Sequence, residues 1–153
     1  MERCDIEFDI NYSYTLELYH QHFYTRLDHL LTSLQLFLGS LVFANFTYHW
    51  FYGAVITVLA IIGFVYKPAV KALMAQRQVH RFGVLIDAKG TLTDDELQKR
   101  TLAFSKGKTD HLGVFIRPAF NRACLMQGSQ EGLYRLTPYQ RIMAWLAGDL
   151  PAD

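Results

Sequence analysis

The chain of 153 residues lacks charge in one long segment and has little cysteine anywhere. No Asp, Glu, Lys or Arg occurs in the 38 residues that separate Asp28 from Lys67. Only 19% of all residues are charged, against roughly 25% in an average soluble protein. The two cysteines, Cys4 and Cys124, exclude a disulfide scaffold, and the hydrophobic content of 51% excludes an intrinsically disordered chain. The first 15 residues contain no apolar stretch, so we expect no cleavable signal peptide.

The uncharged segment is long enough for two membrane-spanning helices, because one span needs about 20 mainly apolar residues. Residues 45–49 are polar and aromatic and predict a turn, which leaves residues 30–44 and 50–66 for the two spans. A helical hairpin in a soluble protein would show a polar face, and residues 51–66 show none. We therefore expect a transmembrane helical hairpin over residues 30–66.

The remaining residues predict helices, so the expected fold class is an all-α membrane protein. Residues 1–29 are expected to form a cytoplasmic N-terminal amphipathic helix, with Ser13 as a plausible N-cap, that continues into the first span. Residues 67–153 are expected to form a small cytoplasmic helical domain, with one helix over residues 94–104 and a last helix capped by Thr137. The apolar residues of the last helix that we expect to cover the shorter helices are Ile142, Met143, Trp145 and Leu146. No strand pattern occurs.

Basic residues follow the second predicted span closely, whereas the predicted turn contains no Lys or Arg. The positive-inside rule then places the C-terminal region in the cytoplasm, and an even number of spans returns the N-terminus to the same side. Residues 67–153 carry 13 basic and 8 acidic residues, whereas residues 1–29 carry 2 and 6. These opposite charges can pair within the chain, between neighbouring copies, or with lipid headgroups.

Aromatic residues flank the predicted spans, as in the interfacial belts of membrane helices. Together with the basic residues, they form the expected membrane interface: Tyr48, Trp50, Tyr52, Tyr66, Lys67, Lys71, Arg77 and Arg81.

Weakly polar residues within the spans are the candidate functional residues. Thr32, Gln35 and Gly39 recur at steps of three and four and share one stripe of the first helix, while Ser40 lies on a neighbouring stripe. A small-residue stripe that can permit close helix packing consists of Gly53, Thr57 and Ala60, with Gly63 nearby, and Gly39 belongs to the same class. Gln35 needs a hydrogen-bond partner in hydrocarbon, which an identical helix could supply. Packing alone and the lining or gating of an oligomeric pore by Thr32, Gln35 and Ser40 both remain open.

No motif for catalysis, cofactor binding or metal binding occurs in the sequence. His20, His22 and His29 are expected to be exposed or interfacial, because His20 and His22 diverge on a helix. A nucleophile–base set of His80, His111 and Cys124 is rejected, since nothing nearby in the sequence activates the thiol. We expect no enzyme, no cofactor, no metal and no direct binding of nucleic acid.

The architecture resembles the SLATT superfamily of prokaryotic conflict-system effectors. The resemblance rests on the helix-into-span segment 24–41, the helix after Pro68, and the stretch 117–122, which is similar to a Pro…Asn element ahead of a final helix at 139–146. Retron-associated two-span toxins are similar in the same respects. This resemblance implies a multi-pass protein of the bacterial inner membrane that forms pores when a partner sensor detects infection.

The expected function is therefore that of a membrane effector that homo-oligomerises and permeabilises or depolarises the inner membrane in an abortive antiphage response. Its expected partners are the lipid bilayer, further copies of itself, and a sensor or regulatory protein. An alternative is a non-conducting membrane interaction protein, either a prophage superinfection-exclusion factor or a regulatory or accessory subunit of a larger membrane complex.

Overall fold

The computed structural model describes residues 3–43, 48–105, 112–129 and 132–149, and within these ranges the chain is all-helical without strands. The elements are α1 (Arg3–Phe43), α2 (His49–Tyr66), α3 (Pro68–Ala88), α4 (Asp94–Ser105), a 3₁₀ turn (Gly113–Phe115), α5 (Ile116–Met126) and α6 (Pro138–Leu146). The all-α prediction is confirmed. The predicted turn at 45–49 lies mostly outside the described residues, and α2 begins at its last position.

Helix α1 is one helix of 41 residues, and it begins ten residues earlier than Ser13, the expected N-cap. That prediction is wrong: Ser13 is a buried residue inside the helix. The first residues look solvated in sequence because they are rich in acids. However, Ile6 and Ile10 lie one helical turn apart and pack against side chains far away in the chain.

The N-terminal half of α1 is the central element of a helical body that also contains α3 to α6. Its first apolar cluster joins Ile6 and Ile10 of α1 to Phe82 and Leu85 of α3 and to Leu97 of α4, and all five side chains are buried. Helix α3 has buried residues at Ala72, Ala75, Gln78, Phe82 and Leu85, a spacing of three and four that forms one continuous face. Because α1 and α3 are in direct contact, α3 runs beside α1 for much of its length.

A second apolar cluster lies further along α1. It joins Leu16 and Tyr19 to Phe115, Ala119 and Ala147, which come from the 3₁₀ turn, α5 and the end of α6. His20, expected to be exposed or interfacial, is fully buried beside this cluster. The backbone N–H of Leu112 donates to His20 Nε2 over 2.9 Å, so Nδ1 carries the ring proton and donates to the carbonyl oxygen of Leu16 at 2.7 Å. The ring thus joins α1 to a segment 92 residues away.

Helix α6 has the predicted capping box. The N–H of Gln140 donates to the Thr137 hydroxyl over 3.3 Å, and the Gln140 side chain accepts from the N–H of Thr137. The expectation that its large apolar residues cover the other short helices is wrong for Ile142 and Trp145, which are mostly exposed. The helix has only nine residues, and the small buried residues Ala144 and, directly after the helix, Ala147 bring it close to its neighbours, so Ile142 and Trp145 lie on its outer side.

Opposite charges of the two chain regions pair within the body. Glu7 of α1 accepts a hydrogen bond from Lys89 Nζ at 2.9 Å, and Arg3 reaches Asp94 at 2.7 Å. The hydrogen bond from Lys89, with the positive charges of Lys89 and Arg3, holds the pKa of Glu7 below its ordinary value. Pairing within the chain, one of the three possibilities considered from the sequence, therefore accounts for part of the charge asymmetry.

Candidate functional site in the apolar hairpin and its junction with the body

The apolar hairpin comprises residues 30–43 of α1 together with α2, and the two helices contact each other. One helical stretch among the described residues, Trp50–Ala88, is long and apolar enough to cross a membrane by length and composition, and α2 supplies its apolar part. Within its most apolar segment of 18 residues, only 6% is buried. A core helix of a soluble protein passes the same test of length and composition, but its apolar residues are mostly buried. The exposure of Ile61, Phe64 and Val65 is the opposite of that pattern.

The second half of α1 has a half-buried face and an exposed face. The half-buried residues Leu31, Gln35, Leu38 and Val42 recur at steps of three and four, as expected for the side on which α2 packs. The predicted pore residues are therefore divided between the two faces. Gln35 is half-buried, whereas Thr32 and Ser40 are exposed.

Gln35 carries the one side-chain amide in the described part of the hairpin, and this amide has no hydrogen bond to any residue in the described ranges. An amide that enters hydrocarbon without a partner costs several kcal/mol, on the order of 2–7. Its position is therefore acceptable in water or opposite a second polar group, and unfavourable beside lipid alone.

Hydroxyl groups of the hairpin are satisfied by their own helices. The Ser40 hydroxyl donates to the carbonyl oxygen of Leu36 and the Thr57 hydroxyl to that of Gly53, each at 2.9 Å. This i to i−4 arrangement removes the need for water or for another polar chain. These two side chains are compatible with surroundings that contain no water as well as with the wall of a pore.

Close packing of α1 against α2 does not require the glycines of the hairpin. A Cβ atom placed on Gly39, Gly53 or Gly63 meets nothing within 4 Å in the single chain. Ala60 and Thr57, which share the small-residue stripe of α2, are exposed. The predicted packing residues thus leave an accessible small-residue surface on the single chain.

The aromatic residues of the predicted interface lie towards the two ends of α2. Tyr48 and Trp50 are exposed at its start and Tyr66 at its end, whereas Tyr52 is half-buried. Lys67 follows directly in the left-handed conformation, with φ of 46°, and separates α2 from α3. Its ammonium group lies 5.7 Å from the centre of the Phe64 ring.

Of the four predicted basic residues, Lys67 directly precedes α3 and the other three lie at different levels along it. Lys71 is half-buried and lies against aromatic rings of α1 and α2. Arg77 and Arg81 are exposed, and Arg81 stacks on Phe104 of α4 at 5.8 Å. A rise of 1.5 Å per residue puts Arg81 about 21 Å along the chain from Lys67. Lys67 and Lys71 are therefore the two cations adjacent to the end of α2.

Sequence reasoning missed the residues that fix α6 beside the start of the apolar hairpin. Arg26 of α1 donates to the carbonyl oxygens of Trp145 and Leu146, at 3.1 and 2.8 Å. The Nδ1 atom of His22 lies 2.9 Å from the carbonyl oxygen of Ala147. A cation at the C-terminus of a helix also interacts favourably with its dipole. Arg26 is the one Lys or Arg of the sequence between Arg3 and Lys67, which was the available indication, but its partners lie 119 and 120 residues away.

No group of three or more ligand-type side chains that could hold a metal ion occurs in the described ranges. Cys124 is buried, and desolvation raises the pKa of its thiol, which disfavours the reactive thiolate. His111, the third member of the rejected nucleophile–base set, lies outside the described residues.

No family model, curated protein or solved structure matches the chain.

Proposed function

We propose that the chain is a two-span membrane effector that homo-oligomerises and permeabilises the bacterial inner membrane in an abortive antiphage response. The observation that carries the membrane part of the proposal is the combination of an exposed, uncharged hairpin with a single packed body at its base. The SLATT-like architecture described from the sequence supplies the biological setting.

Two spans are favoured over one because both flanks of the hairpin share a core. Ile6 and Ile10, before the hairpin, pack against Phe82 and Leu85, after it. A bilayer crossed only by α2 would separate these residues. Residues 30–43 rise about 21 Å as a helix, and the neighbouring residues 44–48 carry no charge either. With Lys67 and Lys71 next to α2, the positive-inside rule places the body and both termini in the cytoplasm.

Homo-oligomerisation is supported by a polar group that forms no hydrogen bond to a described residue and by a set of small residues with open space beside them in the single chain. The Gln35 amide has no hydrogen bond to a described residue, and a Cβ on Gly39, Gly53 or Gly63 would meet nothing. Small residues and amides are the groups through which transmembrane helices associate. Identical helices around an axis would pair their Gln35 side chains, and an opened arrangement would turn Gln35 and Thr32 towards water.

The membrane potential of cells that express the chain tests this proposal. Wild type is expected to depolarise cells after induction, alone or with its cognate activator, as measured with a potential-sensitive dye. Gln35→Leu is expected to abolish the effect, because the polar group of the stripe is lost. Gln76→Leu, on the exposed surface of α3, is the matched control and is expected to behave as wild type. Absence of depolarisation under both conditions would exclude a pore.

A non-conducting membrane interaction protein is the second candidate. The observation that favours it is the internal satisfaction of the Ser40 and Thr57 hydroxyls, which need no water. Such a protein would be expressed without toxicity and would co-purify with a heterologous membrane protein from detergent extracts. An oligomer without that partner, combined with depolarisation, would contradict this second candidate.

A further inference from the structure

A groove with a volume of about 400 Å³ opens where the apolar hairpin joins the helical body. α1, the end of α2, the start of α3, the 3₁₀ turn and α6 all contribute to its wall. Its apolar side is formed by Phe23, Leu27, Val114 and Met143. The volume lies within the range of about 300–1,000 Å³ that is typical of small-molecule sites.

Lys71 supplies the only charge among the described residues that line the groove. Its ammonium nitrogen lies 5.5 Å from the centre of the Tyr24 ring and 5.7 Å from that of Tyr66. The two rings come from different helices and hold the cation in place through cation–π contacts. None of the ion pairs within the described ranges involves Lys71. The groove therefore combines an apolar wall with a positioned, partly desolvated cation that is available to an anion.

The groove lies at the level where the apolar surface of the hairpin ends. Tyr66 is the last residue of α2 and lines the groove. Outside the groove, Arg26 attaches the end of α6 to α1 four residues before the exposed Leu30. Tyr139 lines the groove on α6 and is 64% exposed. Tyrosines with an apolar ring and a polar tip are enriched at this depth in membrane proteins.

We propose that this groove binds a phospholipid with a net negative headgroup. A phosphate oxygen accepts a hydrogen bond from the ammonium of Lys71, and the glycerol and first acyl carbons lie along Phe23, Leu27 and Met143. The inference rests on the proposed membrane location of the hairpin. Basic pockets at the cytoplasmic ends of membrane helices commonly recognise anionic headgroups. A headgroup with its own ammonium is disfavoured, because Lys71 already occupies the two aromatic faces.

Titration of the purified full-length protein in a neutral detergent tests this site. The probes are short-chain phosphatidylglycerol, phosphatidylcholine of the same chain length, and inorganic phosphate, with binding measured by calorimetry. Wild type is expected to bind phosphatidylglycerol about tenfold more tightly than phosphatidylcholine, because the ammonium of choline offsets the attraction between Lys71 and the phosphate that both lipids carry. Inorganic phosphate, which lacks the apolar contacts, is expected to bind most weakly.

Four variants distinguish binding in the groove from a general attraction of anionic lipid to positive charge. Lys71→Gln is expected to remove the preference for phosphatidylglycerol. Lys67→Gln, which removes the same charge four residues earlier and outside the groove, is expected to retain it. Met143→Trp fills the apolar side without changing charge and is expected to weaken both lipids. Thermal unfolding followed by circular dichroism checks that each variant is folded. Lys71→Arg, which keeps the positive charge, is expected to restore the preference for phosphatidylglycerol.

An equal effect of Lys71→Gln and Lys67→Gln would overturn the proposal, as would binding of inorganic phosphate as tight as that of phosphatidylglycerol. Flotation of the protein with vesicles is measured separately. If the protein floats but shows no lipid preference, the groove proposal fails and the membrane location stands. If the protein binds phosphatidylglycerol through Lys71 but does not float, the groove stands and the proposed function fails.

Discussion

The two halves of α1 belong to one helix but have different surroundings: the first half packs in the helical body, and the second half belongs to the apolar hairpin. Leu16, in the first half, is 2% exposed among residues of the 3₁₀ turn, α5 and α6, whereas Leu36, in the second half, is 69% exposed. Both segments are rich in apolar side chains, so hydrophobic content does not separate them. Charge does: residues 3–28 of α1 carry both acids and bases, and residues 29–43 carry neither. The comparison teaches that the missing charges, more than the apolar residues, distinguish the exposed part of this helix from its packed part.

The largest expected difference in unfolding free energy is between replacing a phenylalanine that packs against the first half of α1 and replacing one in the second half. Phe115→Ala removes a buried ring that contacts the rings of Tyr19, His20 and Phe23, and is expected to cost about 3–5 kcal/mol of unfolding free energy. Phe37→Ala, at a position 61% exposed, is expected to change the stability of the body little. Denaturant unfolding in detergent measures both values, and equal losses would mean that the regions are not distinct.

Introduction of one charge tests directly whether lipid or water surrounds the hairpin. Val58→Lys puts an ammonium group near the middle of α2 and is expected to cost about 2.5–3.5 kcal/mol of membrane insertion. Val84→Lys, on α3, is the matched control, since the two valines are 55% and 52% exposed. The fraction retained in carbonate-washed membranes is expected to fall only for Val58→Lys. Retention of both variants would contradict lipid around α2.

Loss of the α6 cap is expected to have an intermediate effect, confined to the body. Thr137→Ala removes the hydroxyl that accepts from the N–H of Gln140, and is expected to cost about 1 kcal/mol. Thr137→Ser keeps that hydroxyl and is expected to retain most of the stability. Thermal unfolding of the two variants measures the cap, and identical melting temperatures would show that it contributes nothing.

The smallest expected effect is the pH dependence of the Glu7–Lys89 pair. Because the pKa of Glu7 is lowered in the folded protein, its stabilisation is present above the unfolded value and is lost as pH falls through the folded one. Both side chains are partly exposed, so Glu7→Gln is expected to cost less than about 1 kcal/mol at pH 7. The difference from wild type is expected to begin to shrink near the ordinary glutamate pKa of 4.5 and to vanish below the lowered pKa of folded Glu7. Asp87→Asn, outside every ion pair among the described residues, is the control.

The local elements of the fold were predictable from the sequence. Helices α4 and α6 were expected from the acids after Thr93 and from Thr137, Pro138 and Gln140, and their observed bounds agree to within a residue or so. These elements depend on residues three or four positions apart, whose interactions can be read directly from the chain.

Features that depend on distant residues were not predictable. The early start of α1 requires Ile6 to meet Phe82 and Leu97, and the burial of His20 requires Leu112 and Phe115. Neither pairing leaves a periodic pattern in the sequence. At the candidate site, the polar stripe was visible, but its division into a half-buried Gln35 and exposed Thr32 and Ser40 depends on where α2 packs.

The length and continuity of α1 have a mechanical consequence. The helix contains no proline, and Gly39, its one glycine, lies near its far end, so it has no joint along about 50 Å between Arg3 and Gln35. A torque applied to the N-terminal end of α1 by another molecule would rotate Gln35 about the same helix axis. Under the proposed function, a molecule that binds the helical body would therefore reach Gln35 through one continuous helix, without access to lipid.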